Sequence, residues 1–181
     1  MLWVLKNTFK RSFSFVIAKT IRRKSKMKGN TQIISALNGL LSYELAAMDQ
    51  YFIHSRMYED WGINKLFERI DHEFDDEKLH ASMLIQRILF LEGIPDMQTR
   101  AGINIGKTVP EMLQSDLNVE YDVAKALRSA IALCEQEKDY VTREILEKLL
   151  DDTEVDHAFW LEQQLGLIKT IGLQNYIQSQ L

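Results

Sequence analysis

Four glutamates stand near the middle of four apolar stripes in this 181-residue sequence. Apolar residues in each stripe recur at i, i+3, i+4 and i+7, the spacing that places side chains on one face of an α-helix. Two of the glutamates have a histidine three residues further on, so the carboxylate and the imidazole share that face. The residues are Glu44, Glu77 with His80, Glu120, and Glu154 with His157. Acids at the centre of every apolar stripe indicate a shared polar site inside a helical core.

The chemistry expected of this site is metal binding. Four unpaired carboxylates would cost many kcal/mol to bury, and protonating them would require large pKa shifts. Two divalent cations balance the charge of four carboxylates and two neutral imidazoles. Oxygen-rich ligation with two histidines favours iron or manganese, whereas zinc would fit the site without being able to change its redox state. One glutamate from each of two helices, with a Glu-x-x-His pair from each of two others, is the ligand pattern of di-iron carboxylate bundles.

Long helices must position these side chains. Only 2 prolines and 8 glycines occur in the sequence, which favours a few long helices over many short elements. The apolar periodicity predicts helices over residues 31–60, 63–91, 110–137 and 139–167, with a short fifth helix in the tail after residue 172. Short joints between the first and second helices and between the third and fourth make antiparallel pairs. The expected fold is therefore an all-α four-helix bundle with one long crossover connection.

The crossover is expected over residues 94–108, where large apolar residues are few. Thr108 is the predicted N-cap of the third helix, and Glu111 three residues later completes the pattern of a capping box. A connection of this length can run along the whole bundle, as the topology requires.

Charge is distributed unevenly along the chain. The formal net charge is −4, yet residues 1–26 contain 8 basic residues and no acidic residue, which leaves 14 basic and 26 acidic residues, a net charge of −12, in the remainder. Such an acidic body disfavours nucleic acids and anionic membranes as partners and favours cations. The single cysteine, Cys134, excludes an internal disulfide and a cysteine-built metal site, and it is typical of a reducing compartment such as the cytoplasm.

Residues 1–26 are treated as a separate N-terminal extension, outside the domain expected over residues 27–181. Three interpretations remain open: an organelle transit peptide, an amphipathic helix at a membrane surface, and an upstream stretch preceding a true start at Met27. No run of 18 uncharged apolar residues that would indicate a transmembrane helix occurs in the sequence.

Residues 27–181 resemble a bacterioferritin over essentially their whole length. The stretches that carry the resemblance are MKGNTQIISALNGLL, YELAAMDQYFIH, RILFLEGIPDMQ, MLQSDLNVEYDVAKALRSAI, DHAFWLEQQLGLI and GLQNYIQSQL. The resemblance implies a ferritin-like four-helix bundle with a short C-terminal fifth helix. It also implies a ferroxidase that oxidises Fe(II) with dioxygen or hydrogen peroxide and stores the product as a ferric mineral inside a homo-oligomeric cage of twenty-four subunits.

The resemblance also assigns roles to individual residues. It makes Glu44 and His80 the terminal ligands of one of two iron ions, Glu120 and His157 the terminal ligands of the other, and Glu77 and Glu154 the bridging ligands. Tyr51 resembles a tyrosine near the family's di-iron centre and is either an electron donor or a core residue. His72 and Asp76 match an inner-surface iron site proposed for some bacterioferritins, although a solvated charged face explains them equally well.

One position departs from the family pattern. Bacterioferritins bind haem between two subunits through a methionine that directly follows the second-helix glutamate, and this chain has Lys78 there. A lysine has a reference pKa near about 10.4, so it is protonated at neutral pH and cannot ligate iron. We therefore expect a homo-oligomer to bind little or no haem b, while a mixed cage with a methionine-bearing sister subunit could still bind some.

The remaining expectations concern residues outside the predicted metal site. His54 is expected to be an ordinary interface or surface histidine. Leu45, Tyr58 and Trp61 are expected to face a neighbouring subunit. The tail residues Asn175, Gln178 and Gln180 either line a pore at a four-fold axis or belong to a frayed terminus.

Three functions remain open on the sequence alone. The first is the iron-storing cage with ferroxidase activity. The second is a di-metal bundle of another reaction type, such as a peroxidase or manganese catalase, that does not form a cage. The third is a partner subunit of a mixed, haem-containing cage. None of the three has a nucleic acid as partner, or a membrane as partner of the folded domain.

Overall fold

The computed structural model describes residues 28–181, and it contains only helices and their connections there. The expectations for the basic extension and for a start at Met27 lie outside these described residues. The helices are α1 (Thr31–Asp60), α2 (Asn64–Phe90), α3 (Val109–Gln136), α4 (Tyr140–Asp151), a π-helical segment (Asp152–Ala158), α5 (Phe159–Ile171) and α6 (Leu173–Gln180). The predicted bundle with a short C-terminal helix is confirmed.

Side-chain caps define the starts of the long helices. The Asn30 side chain accepts a hydrogen bond from the Gln32 N–H at 2.7 Å and caps α1. The Thr108 hydroxyl accepts from the Glu111 N–H at 3.4 Å, as predicted for α3. The Glu111 carboxylate, however, accepts from the N–H of Lys107 at 2.9 Å, so the reciprocal bond is displaced one residue from the expected capping box.

Two apolar clusters fill the bundle, one toward each end. Helix α1 packs along α2 and across α3, and α3 packs along α4, the π-helical segment and α5. One cluster includes Leu37, Leu41, Leu84, Ile88 and Leu127. The other includes Tyr58, Ile70, Met112, Leu161 and Tyr176. Glu44, Glu77 and Glu120 lie between these clusters, so apolar packing on both sides holds the polar layer in place.

The π-helical segment is the main difference from the predicted elements. The periodicity predicts one continuous fourth helix, but residues 152–158 adopt the wider i→i+5 turn between α4 and α5. A π turn holds more residues than an α turn, so side chains at i and i+3 lie further apart around the axis. Glu154 and His157 are such a pair, which affects the metal site described below.

The crossover is attached to the bundle by a buried polar network. The His54 Nδ1 atom lies 2.8 Å from Asp116 Oδ1, and the Gly106 N–H donates to His54 Nε2 at 3.2 Å. The Gln50 amide also donates to Asp116 Oδ1, at 2.8 Å. Burial raises the pKa of Asp116, and the hydrogen bonds from His54 and Gln50 oppose this shift. The expectation that His54 lies at the surface or an interface is therefore wrong, because its side chain is fully buried within this chain.

Gly106 is required at this position by close packing. A Cβ atom there would lie 2.4 Å from the backbone nitrogen of Met112, which no side chain can do without moving α3. At Gly106 the crossover therefore lies directly against α3, and from this position the Gly106 N–H reaches His54 on α1.

Two further surface expectations are corrected by burial. Leu45 and Tyr58 pack inside the chain's own core and cannot face a neighbouring subunit, because the apolar stripe of α1 turns them inward. Trp61 is 40% exposed, so its contact with a neighbour stays a prediction.

The C-terminal tail is a docked helix. The buried Tyr176 hydroxyl donates to Gln164 Oε1 at 3.0 Å, and the Lys65 ammonium donates to the carbonyl of Ser179 at 2.6 Å. A frayed terminus is thereby excluded, while the pore role of Asn175, Gln178 and Gln180 stays a prediction. Within residues 28–181, no helix has the length and apolar content needed to cross a membrane.

The buried network should contribute substantially to stability. We predict that Asp116→Ala lowers the free energy of unfolding by about 2–5 kcal/mol, because it leaves the Gln50 amide and the His54 Nδ1–H buried without an acceptor. Urea denaturation followed by circular dichroism measures this difference.

Arg100→Ala provides a matched control. Arg100 also ties the crossover to α1, through a 3.1 Å contact with Asp49, but both side chains are substantially exposed. Its loss should change the same free energy by less than about 1 kcal/mol. An equal loss in the two variants would contradict the role given to the buried network.

Candidate metal centre

The first group of candidate ligands joins α1 to α2. Glu44, Glu77 and His80 are buried, and one possible ligand atom from each lies within 4.8 Å of the other two. The His80 Nδ1 atom is 3.3 Å from Glu77 Oε2 and 3.8 Å from Glu44 Oε2. These three side chains, all expected from the sequence, converge on one point in the core.

The second group joins α2 and α3 to the π-helical segment. Glu77, Glu120 and His157 also place one ligand atom each within 4.8 Å of the others. The His157 Nδ1 atom is 3.1 Å from Glu77 Oε1 and 3.5 Å from Glu120 Oε2. The rings of His80 and His157 are stacked with centroids 5.7 Å apart. Glu77 belongs to both groups, so the geometry suits two adjacent ions with Glu77 between them.

Many of the candidate ligand atoms lack hydrogen-bond partners, as is expected if they bind a metal ion. Among the described residues, these buried atoms have no hydrogen-bond partner: both carboxylate oxygens of Glu44, one oxygen each of Glu77 and Glu120, and the Nδ1 atoms of His80 and His157. Buried polar atoms are almost always satisfied in native proteins, so a cluster of exceptions needs an explanation. Oxygen and imidazole ligands facing one another are a donor set that fits divalent iron or manganese.

Protons supply positive charge to this cluster in the metal-free chain. Burial and the charge of Glu77 raise the pKa of Glu44 well above its ordinary value. Burial acts to lower the pKa of His80, but the nearby carboxylates of Glu44 and Glu77 outweigh it and raise that pKa to about 11. Burial acts to lower the pKa of His157 as well, but the nearby carboxylates of Glu120, Glu73 and Glu77 outweigh it and raise that pKa above its ordinary value. Burial acts to raise the pKa of Glu77, but the close approach of Glu44 and of both histidines lowers it overall.

Tyr51 lies directly beside the second group. Its hydroxyl donates to Glu120 Oε1, which leaves Glu120 Oε2 facing His157. Burial and the nearby charge of Glu120 raise the pKa of Tyr51 well above its ordinary value, so the phenol keeps its proton. Burial and the charge of Glu77 raise the pKa of Glu120 to about 6. Tyr51 is thus both a core residue and a direct neighbour of a candidate ligand.

Glu154 is not brought into the cluster. Its side chain is 39% exposed and pairs with Arg128. The reason is the π-helical segment, whose wider turn separates Glu154 from the face that carries His157. Its assignment as a bridging ligand stays a prediction, and it requires the side chain to rotate away from Arg128.

Beside this cluster lies a buried carboxylate that was not among the ligands expected from the sequence. Glu73 lies one turn before Glu77 on α2 and is 2% exposed. Its Oε2 atom is 3.0 Å from His157 Nε2, and its Oε1 atom is 2.6 Å from Arg69 Nε. The spacing in the sequence does place Glu73 on the ligand-bearing face of α2, because Glu73, Glu77 and His80 recur at i, i+4 and i+7. However, Glu73 belongs to the acidic run DHEFDDEKLH, which resembles a solvated face, so the spacing alone did not distinguish it as buried.

A surface cavity of about 230 Å³ opens onto both histidines. It is lined by Asp76, Leu79, His80, Met83, Asp152, Asp156 and His157. His72 is exposed, and its Nε2 atom lies 3.4 Å from Asp76 Oδ2. The predicted pair therefore adjoins a route to the cluster, although its binding of iron stays a prediction.

Lys78 points away from the cluster into solvent. Its side chain is 65% exposed, and its ammonium lies 3.7 Å from Asp75 Oδ1. It is therefore available at the surface, where the resemblance places a haem-ligand methionine.

Metal binding should release protons, because ligation requires unprotonated imidazoles and ionised carboxylates. At neutral pH, which lies below the raised pKa values of His80 and His157, both imidazoles are protonated in the metal-free chain. We predict that Zn²⁺, used as a redox-inert probe, displaces about one or more protons per ion and that its affinity falls as pH falls. Titration in weakly buffered solution with a pH indicator measures the release. Binding that is independent of pH and releases no protons would contradict this electrostatic description.

Comparison with known proteins identifies the family. A family model described as a ferritin-like domain matches residues 34–171. A protein named bacterial ferritin from Synechocystis sp. is 62% identical over 155 residues, covering 86% of this chain and 99% of that protein. A bacterial ferritin from Pseudomonas aeruginosa is 59% identical over 155 residues, covering 86% of this chain and 100% of that protein.

A bacterioferritin from Brucella melitensis is 40% identical over 152 residues, covering 84% of this chain and 94% of that protein. The resemblance inferred from the sequence motifs is thereby confirmed. The helical bundle, the paired carboxylate–histidine groups and these matches agree: the chain belongs to the ferritin-like, bacterioferritin family.

Proposed function

We propose that this protein stores iron and acts as a ferroxidase, oxidising Fe(II) to Fe(III) at a di-iron site within each chain. The observation that carries the proposal is the buried pair of carboxylate–histidine groups that share Glu77. Family membership supports iron as the metal, and the oxygen-rich ligand set suits it.

Each ferrous ion has its own terminal ligands in this proposal. Glu44 and His80 hold one ion, Glu120 and His157 hold the other, and Glu77 lies between the two. Two adjacent ferrous ions supply two electrons together to dioxygen or hydrogen peroxide, which avoids one-electron products. The surrounding protein excludes water from the site and holds the ligand side chains in fixed positions.

The chain's own residues manage protons and orientation. His80 and His157 carry protons in the metal-free state, and they must give up the Nδ1 proton to become ligands. The hydroxyl of Tyr51 holds one oxygen of Glu120, so the other stays directed at the site. A buried phenol in this contact is also a candidate electron donor, as the resemblance implies.

Ferrous iron enters, we infer, through the acidic cavity above the histidines. Asp76, Asp152 and Asp156 line it, and carboxylates at a cavity mouth raise the local concentration of cations. His72, next to Asp76, could hold an ion at the outer end of this route. Glu154 would join the site by rotating from Arg128, completing the ligand set that the resemblance implies.

Storage requires an enclosed volume, which one bundle does not provide. The proposed assembly is therefore a cytoplasmic, homo-oligomeric cage of twenty-four subunits with the mineral inside, or a mixed cage with a haem-binding sister subunit. A di-metal peroxidase or catalase without a cage is the alternative function. The particle mass of the purified protein separates these possibilities.

Single substitutions in the ligand set should remove rapid iron oxidation. We predict that Glu44→Ala and His157→Ala each slow the fast oxidation phase at least about tenfold, because loss of one ligand weakens binding of one of the paired ions. The measurement is anaerobic loading with Fe(II) followed by oxygen, with two irons oxidised rapidly per chain in the parent protein.

Glu68→Ala is the matched control for these variants. Glu68 is an exposed acid on α2, outside both ligand groups, so its removal should leave the fast phase unchanged. Parent-like oxidation by both ligand variants would refute the proposed site, provided that each variant forms the same particle as the parent.

Haem binding should respond to position 78. We predict that the purified homo-oligomer contains little haem and that Lys78→Met raises the haem content severalfold, because a thioether needs no deprotonation to ligate iron. Absorbance of the haem band per subunit after growth with added haem precursor gives the comparison. Stoichiometric haem in the parent protein would show that Lys78 does not prevent binding.

A further inference from the structure

We propose that Glu73, held in place by Arg69, is a positioning residue that fixes the ring orientation and tautomer of His157. This inference rests on the proposed di-iron function and adds a residue that acts through a ligand without being one. Within residues 28–181, Glu73 is a buried carboxylate that contacts the outer nitrogen of His157. It also places a possible ligand atom within 4.8 Å of those of Asp76 and His157, so the test must separate support from ligation.

The two nitrogens of His157 face different partners. Nε2 lies 3.0 Å from Glu73 Oε2, while Nδ1 lies 3.1 Å from Glu77 Oε1 and 3.5 Å from Glu120 Oε2. This is an ion-pair contact without the angles of a hydrogen bond, and the negative charge of a carboxylate at that distance favours a proton on Nε2. The Nδ1 lone pair is then the one available to a metal, on the side where Glu77 and Glu120 converge. Carboxylates that orient metal-binding histidines in this way are general in metalloproteins.

Arg69 in turn fixes Glu73. The Arg69 Nε atom lies 2.6 Å from Glu73 Oε1, and another nitrogen of the same guanidinium lies 2.6 Å from Asp156 Oδ1. The guanidinium also lies over the ring of Trp160, with 5.2 Å between its carbon and the ring centroid. Asp156 and Trp160 flank His157 in the sequence, so one arginine ties α2 to both sides of the ligand.

This support matters because of where His157 lies. The residue belongs to the π-helical segment, whose backbone departs from the regular helix that the other ligands occupy. Side chains on such a segment do not inherit their direction from the α-helical repeat. The Arg69–Glu73 pair supplies that direction from a regular helix, α2.

His80 lacks an equivalent buried support. Its outer nitrogen, Nε2, lies 3.4 Å from Asp152 Oδ2, and the Asp152 side chain is 59% exposed. Water competes for an exposed carboxylate, so this contact holds the ring weakly. The two halves of the centre therefore differ, and loss of Glu73 should weaken one ion far more than the other.

The experiment is an anaerobic titration with Co²⁺, a redox-inert probe whose visible absorption reports coordination. The parent protein should bind two ions per chain. We expect Glu73→Ala to weaken one of the two binding steps by about 10–100-fold and to leave the other step unchanged. Glu73→Gln keeps a hydrogen-bond acceptor for Nε2–H, so it should restore that step to within a few-fold of the parent.

Glu68→Ala is the control, because Glu68 is an exposed acid on α2 that belongs to neither ligand group. It should change either step by less than about threefold. Arg69→Met tests the same support without touching the site, and it should weaken the same step as Glu73→Ala, with circular dichroism unchanged. It also serves if the alanine variant does not fold.

Two results would overturn the proposal. One is parent-like binding in both Glu73→Ala and Arg69→Met. The other is a loss in Glu73→Gln as large as in Glu73→Ala, which would make Glu73 a ligand. Fewer than two ions bound by the parent chain would instead contradict the proposed di-iron function itself, so the two failures are distinguishable.

Discussion

The carboxylate of Glu77 lies between two histidines, 3.3 Å from His80 Nδ1 and 3.1 Å from His157 Nδ1, with almost no exposure to solvent. Glu44 and Glu120 approach the same histidines from α1 and α3. Negative charge at this density cannot remain in a protein core without positive charge beside it. Protons on the imidazoles meet that need in the metal-free chain, and two divalent cations would meet it in the loaded protein. Burial and the charges of the neighbouring groups together cause the pKa shifts of the cluster.

Apolar packing in the rest of the bundle compensates for the free-energy cost of burying the charged layer. An apolar cluster on each side buries the long helices together, and this packing offsets the cost of the polar centre. The crossover is held separately, by the network of His54, Asp116 and Gln50, which fixes α1 against α3 near Tyr51 and Glu120. Stability and ligand geometry are thus supplied by different sets of residues within the same four helices.

The two halves of the centre are not equivalent. Glu120 and His157 are each held by a buried neighbour, Tyr51 in one case and Glu73 in the other. Both histidines line the cavity, but the outer contact of His80 is the exposed Asp152. The side chains of one half are therefore held by buried contacts, and the outer nitrogen of His80 in the other half is held only by an exposed one.

Much of this molecule could be read from the sequence. The period of the apolar residues fixes the four long helices, because helix faces that bury the same stripe must pack together, and α1 begins and ends at the predicted residues. Spacing also identifies Glu44, Glu77, His80, Glu120 and His157, since an acid or imidazole in the middle of an apolar stripe must enter the core. These inferences depend only on local geometry and on the cost of burying charge.

Tertiary structure decided what local spacing leaves open. The turn between α4 and α5 widens into a π-helical segment, and this rotates Glu154 toward Arg128 although its sequence pattern matches that of Glu77. His54 has no distinctive spacing, and the spacing of Glu73 lies within an acidic run that resembles a solvated face. Only the approach of the crossover and of His157 shows that the two residues are buried and paired. A sequence determines which face of a helix is apolar. The partner that each polar side chain meets depends on how neighbouring helices are rotated and placed, which is set by packing across the whole bundle.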